Sequence, residues 1–142
     1  MISLICKMYS FIVVLLLVSV ALAEKCGSNC PSDSCPSCPC GSERRILDAA
    51  TWCAKFTGWN QACCRCIVSK ESGGNANAVN YNGARLGYDV GLWQINQFYN
   101  WGSCNAGRAP CSPEANLECA KMVWRNGRNS FRQWATASLC GC

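Results

Sequence analysis

Fifteen of the 142 residues are cysteine, above the roughly 8–10% that marks a disulfide scaffold. Nothing else in the chain limits its folding as strongly. What those cysteines do depends on the compartment, and residues 1–23 read as a secretory signal peptide. Lys7 gives the positive n-region, Phe11 to Val20 is an apolar run of ten, and Ala21-Leu22-Ala23 is the small-x-small pattern of a cleavage site. The run is shorter than the ~20 residues that span a bilayer, and polar, Cys-rich sequence follows it. No stable membrane insertion is therefore expected. Cleavage before Glu24 removes Cys6 and leaves fourteen cysteines, an even set that an oxidising compartment closes into seven bridges. Zinc held by Cys26-x3-Cys30 and Cys35-x2-Cys38 would suit a reducing cytosol and fits poorly after a signal peptide. Cys35-Pro-Ser-Cys38 lacks the βαβ surroundings of a thioredoxin-like motif. The expected product is secreted, outside the cell or within a lysosomal or digestive compartment.

The chain has no histidine. That removes a Ser-His-Asp triad, a Cys-His nucleophile pair and an HExxH zinc site. Proton chemistry is left to eight carboxylates, five Lys and four Tyr. The sequence suggests no metal site and no cofactor. Without Lys7 the chain carries twelve basic and eight acidic side chains, a charge of +4, which favours encounter with anionic surfaces. No basic run or RNA-binding motif occurs, so nucleic acid is not an expected partner.

Length allows one domain. Glu24 to Gly41 holds five Cys and three Pro with almost no aliphatic side chain. It cannot build a core, so residues 24–41 are expected to form an arm held by its own bridges. Residues 42–142 carry the folded domain. Ser42 is placed as an N-cap with Glu43 in the first turn, followed by Ile46, Leu47, Ala50, Cys53 and Ala54 at helical spacing up to Gly58. Asn60 caps a second helix over Gln61 to Ser72, stopped by Gly73-Gly74. Ala78 to Asn96, with the turn signal Asn82-Gly83, predicts a small β-hairpin or sheet. Ser112-Pro113 opens another helix, with Ala115, Cys119, Met122 and Val123 as its buried stripe. Asn129 or Ser130 caps a last helix through Phe131, Trp134, Ala135 and Ser138. The expected fold class is α+β, mainly helical, with a small β-sheet lobe and disulfide cross-links.

One carboxylate is out of place. Glu71 lies four residues after Ile67 and seven after Cys64, on the apolar stripe of its own helix. It is also in the last turn, where the helix dipole disfavours negative charge. Burial and dipole both push its pKa up, so Glu71 is expected to hold a proton near neutral pH, as a general acid must. Asp89 follows 18 residues later in the expected second strand, among polar neighbours that are expected to keep it ionised. One protonated and one charged carboxyl is the arrangement that glycoside cleavage uses. Position alone leaves open that Glu71 reaches solvent or pairs with Arg85, and that Asp89 is a turn residue.

Glu71-Ser-Gly-Gly-Asn75, Asn80-Tyr-Asn82 and Asp89-Val-Gly-Leu-Trp-Gln-Ile-Asn96 resemble the active-site segment of lysozymes and the related lytic transglycosylases, and are most similar to the C-type (chicken-type) lysozymes. Cys66 five residues before the Glu, the Asn-x-Asn pair, Cys104-Asn-x-Gly-Arg, Pro110-Cys111-Ser112 and Cys119-Ala-Lys121 extend the likeness over roughly residues 43–140. Lysozyme is itself the type case for paired carboxylates, so the mechanism is inherited from that comparison. The resemblance implies a lysozyme-like fold for residues 42–142 and a secreted, monomeric muramidase acting on bacterial peptidoglycan, digestive or antibacterial. In that role Glu71 is general acid and base, and Asp89 is nucleophile or electrostatic stabiliser. It implies cleft roles for Asn80, Asn82, Gln94 and Asn96, sugar platforms in Tyr99 and Trp101, an apolar wall for Glu71 in Trp134, and a Cys66–Cys140 bridge. A lytic transglycosylase dispenses with the Asp; a non-catalytic antimicrobial relative would have lost a carboxylate. Around Cys111 to Lys121 only Glu114 and Glu118 occur, too few acids for the calcium site of the α-lactalbumins. The Cys-rich arm and the Gly141-Cys142 tail lie outside the resemblance.

Overall fold

The second and fourth helices begin where a side chain can satisfy the orphan amides of a first turn. A computed structural model describes residues 26–142; the signal-peptide reading of 1–23 lies outside the described residues. The elements that matter are α1 (Ala49–Ala54), α2 (Gln61–Ser72), β1 (Val79–Tyr81), β2 (Tyr88–Val90), β3 (Ile95–Asn96), α3 (Gly102–Asn105) and α4 (Pro113–Asn126). The Asn60 side chain accepts from Cys63 N at the start of α2, and α2 ends on Gly73 at φ 60, a left-handed geometry that glycine adopts without a Cβ penalty. Ser112 accepts from Ala115 N ahead of Pro113 at the start of α4.

Two helices depart from the sequence reading. Ser42 caps nothing. The first helix starts at Ala49, because Asp48 accepts from Ala50 N and Thr51 N and so takes the cap position. Residues 42–47 instead run beside the turn after α2: Leu47 N donates to Gly74 O and Ala76 N to Arg45 O, both at 2.8 Å. Ile46, placed on a buried stripe by its spacing, is 54% exposed. No α-helix follows Ser130. Phe131 and Trp134 are buried in turns, and a 3₁₀ segment runs over Ala135–Cys140, where the bridges Cys66–Cys140 and Cys63–Cys142 tie the chain to α2. The buried face of α4 is also rotated from the expected stripe. Asn116, Leu117, Cys119, Ala120, Val123 and Trp124 are buried, whereas Ala115 and Met122 are only half-buried. Asn116 turns the face: its amide bonds Val90 O and Pro110 O and accepts from Trp93 N.

The three strands form an antiparallel meander in the order β1-β2-β3. The register sets Asn80 opposite Asp89, and Asp89 opposite Asn96. Gly91, at φ 79 after β2, lies so close to α4 that a Cβ there would collide with the Asn116 carboxamide. The core joins these layers through aromatic side chains, with Trp59 in ring contact with Trp93 and Phe131. The fold is mainly helical with this small sheet and seven disulfides.

The Cys-rich arm is held by more than its own bridges. Cys26–Cys38 and Cys30–Cys35 close inside it, but Cys40–Cys111 ties it to the residue before the α4 cap, across 71 positions. Cys26, Cys30 and Cys35 join the core of the domain. Asn29 is fully buried; it donates to Gly41 O and Glu43 O and accepts from Asn75 Nδ2 at 2.8 Å. Adjacent Cys63 and Cys64 take different partners, Cys142 and Cys53. Among the described residues no helix is long and apolar enough to cross a membrane.

Candidate active site

Glu71 is the penultimate residue of α2. Its helix end is fastened by Ser72, whose hydroxyl is 2.9 Å from Leu92 O in the β2–β3 turn and 3.1 Å from Val68 O. The Glu71 carboxyl is half-buried. Burial raises its pKa above the ordinary Glu range, the negative charge of Asp89 raises it further, and the Thr136 hydroxyl, donating to Oε1 at 2.5 Å, pulls it back. Glu71 therefore holds its proton to higher pH than an exposed Glu does.

Asp89 sits on the middle strand, clamped from both neighbours. Asn82 Nδ2 donates to Oδ2 at 2.5 Å and Asn96 Nδ2 to Oδ1 at 2.7 Å. Asn80 Nδ2 in turn donates to Asn82 Oδ1 at 2.8 Å, and Asn96 Oδ1 accepts from Phe98 N and Tyr99 N. The polar surroundings anticipated from sequence are present, but they do not win. Burial is the larger influence and raises the Asp89 pKa, while the two amides pull it down. The surroundings of the two carboxyls differ: two amide donors hold Asp89, whereas Glu71 has one hydroxyl donor and the repelling charge of Asp89.

The two carboxyls share a cleft. A cavity of about 470 Å³ is lined by Glu71, Asp89, Asn82, Gln94, Asn96, Tyr99 and Trp134, together with Leu86, Asn100, Val123, Asn126 and Gln133. A second cavity of about 660 Å³ shares Glu71, Asp89 and Gln94 with the first and continues past Asn80. Gln94 stands at the junction. Its backbone is left-handed at φ 48, uncommon for a residue with a Cβ, and its amide donates to Gly91 O and Ala78 O. A cleft that runs through a carboxyl pair and is bordered by side-chain amides can take an extended polar chain across two acids.

The lysozyme-like domain model matches residues 51–136, more than half of the chain. The chain belongs to the lysozyme-like domain family. Lysozyme C of Semnopithecus entellus is 37% identical over 62 residues, covering 43% of this chain and 40% of that one; lysozyme C of Nasalis larvatus gives the same figures. Lysozyme C-1 of Mus musculus is 33% identical over 88 residues, covering 50% and 57%. The chain spans about half the length of these curated relatives. No solved structure matches it.

In this lysozyme-like domain the sequence-derived site residues divide. Glu71, Asn82, Asp89, Gln94, Asn96, Tyr99 and Trp134 line the first cavity, and Asn80 the second. Tyr99 is 70% exposed, whereas Trp134 is buried, with its indole N–H donating to Trp93 O at 2.8 Å. Trp101 lines neither cavity. It is buried and donates to Ile95 O at 2.8 Å, so it packs the sheet against the core. Cys66 and Cys140 are bonded to each other, four residues from Thr136. The sequence reading missed Thr136, which is 65 positions from the carboxyl it bonds. A lone Thr in Ala-Thr-Ala-Ser carries no local signal of such a contact.

Proposed function

We propose that this chain is a secreted muramidase that hydrolyses the β-1,4 bond between N-acetylmuramic acid and N-acetylglucosamine in bacterial peptidoglycan. The observation that carries the reading is the unequal carboxyl pair in one cleft. Glu71 is half-buried with a single hydroxyl donor, and Asp89 is held by two side-chain amides, unlike settings that suit the two roles such cleavage requires. Glu71 gives its proton to the glycosidic oxygen as the C–O bond breaks. Asp89, oriented by Asn82 and Asn96, bonds to or stabilises the anomeric carbon. Glu71, now a carboxylate, takes a proton from the incoming water, whose oxygen bonds to that carbon and releases the sugar with retained configuration. Asn80, Gln94 and Tyr99 border the path of the glycan chain, and Trp134 forms the apolar wall of the cleft.

Export is assigned to residues 1–23, and residues 24–41 and 42–142 act together as one monomeric unit. The lysozyme C relatives and the fourteen bridged cysteines support an oxidising, extracellular setting. Clearing of Gram-positive cell walls by the wild type and by Glu71→Gln is the test. Loss of a general acid lowers the rate by about 10²–10⁴-fold, so Glu71→Gln is expected to be nearly inert. If both proteins clear walls equally, cationic membrane damage replaces the enzymatic account. Products with a reducing muramic end support hydrolysis over the anhydro end left by a transglycosylase.

A further inference from the structure

The second cavity has a wall that the lysozyme-like match does not account for. Ser28, Asn29, Pro31 and Ser32 of the arm line it, together with Arg44 and Lys70. All four arm residues precede the matched segment, which starts at 51. The wall is rigid for reasons already given: two bridges inside the arm, a third to Cys111, and the buried Asn29–Asn75 amide pair. Tyr88 adds a fifth tie from the sheet, its hydroxyl 2.8 Å from Ser37 Oγ. The two cations differ in kind from the rest of the cleft, whose charged side chains are the acids Glu71 and Asp89. Among the described residues the one ion pair is Lys121–Glu118, so neither Arg44 nor Lys70 is paired with a described carboxylate. Both are exposed at the cavity, and neither acid of the neighbouring segment, Asp33 or Glu43, lines it.

We infer that the arm-walled half of the cleft is an anion-reading subsite, in which Arg44 and Lys70 bind a carboxylate carried by the glycan on one side of the scissile bond. The inference rests on the muramidase reading for the identity of the glycan. In peptidoglycan alternate sugars bear a lactyl group, whose carboxylate is either free or extended by a stem peptide with carboxylates of its own. A neutral glycan of N-acetylglucosamine alone offers nothing to these cations. The arm thus supplies selectivity: it closes the groove around the substituent, and the cations distinguish a charged strand from chitin. Because both side chains are exposed, added salt weakens this preference, with a screening length of about 10 Å at 0.1 M.

The test measures binding to Glu71→Gln protein, so that turnover is not needed and failure of the hydrolysis reading stays separable, being read from wild-type clearing alone. Three probes are compared by calorimetry: chitohexaose, a peptidoglycan strand stripped of stems by an amidase, and the intact strand. Arg44→Gln with Lys70→Gln is expected to weaken binding of the charged strands about tenfold and of chitohexaose by less than twofold. The charge-conserving exchange Arg44→Lys with Lys70→Arg is expected to retain most of the affinity. Loss on the stripped strand alone assigns the lactyl carboxylate, loss on the intact strand alone assigns a stem carboxylate, and loss on both shows that either carboxylate fills the subsite. Equal loss on all three probes, or none on any, overturns the subsite.

Discussion

At the scale of single residues, the site is a competition between burial and hydrogen bonding. Thr136 donates to the Glu71 carboxyl and lowers a pKa that burial has raised. Thr136→Val removes that donor, so the Glu71 pKa climbs further and the alkaline limb of the pH–rate profile moves to higher pH. A limb that stays in place or moves down removes Thr136 from the mechanism. On the acid side, Asn82→Ala with Asn96→Ala leaves Asp89 to burial alone, and the acid limb should rise. Stability follows the same signs. A carboxyl whose folded pKa lies above its unfolded value contributes stability below the unfolded value, near 4.5 for Glu71, and loses it as pH rises through the folded one. Glu71→Gln keeps an acceptor for Thr136 without the charge. Its Tm should exceed that of the wild type at pH 7 and converge with it near pH 4. A lower Tm at both pH values would show that the ionised carboxylate is structurally favourable.

At the scale of elements, caps decided where helices start, and the Asp48 carboxylate was chosen over the Ser42 hydroxyl only by context. Ser42 and Asp48 both precede helix-forming residues, but residues 42–47 are drawn alongside Arg45–Ala76 and Leu47–Gly74 backbone bonds. A chain engaged in such a ladder cannot also coil. Asp48→Ala should therefore lower Tm, while Ser42→Ala leaves it unchanged by scanning calorimetry. Ser112→Ala, at the cap of α4, should cost about 1 kcal/mol. Asn116 matters more. Its single carboxamide serves Trp93 N, Val90 O and Pro110 O inside the core, and Asn116→Ala strands all three at a cost of about 3 kcal/mol in urea unfolding. The effect reaches the site, because Trp93 is the residue before Gln94 and its carbonyl anchors Trp134.

At the scale of the whole molecule, the bridges convert an arm without a core of its own into part of the domain. In a chain-entropy account the stabilisation by a bridge grows with the loop it closes. Cys40–Cys111 spans 71 positions and Cys30–Cys35 only 5. Replacing both partners by Ser should cost about 4 kcal/mol for the former and about 2 for the latter, measured by denaturant unfolding under non-reducing conditions. Equal losses would mean that the arm is held by its packing and by Asn29 instead.

Local pattern alone determined α2 and α4, the sheet between residues 78 and 96, and the odd position of Glu71. Each depends on caps, turns and spacings within a few residues. The even cysteine set was an expectation from composition, and fourteen bridged cysteines are present among the described residues. Which cysteine meets which, the placement of Asn116 and Thr136, the burial that outweighs the amides around Asp89, the withdrawal of Trp101 into the core and the arm's place along the cleft were decided by tertiary structure. The reason is common to all of them: each joins residues far apart in sequence, and desolvation, which sets the balance of charge in the cleft, exists only once those residues have closed around it.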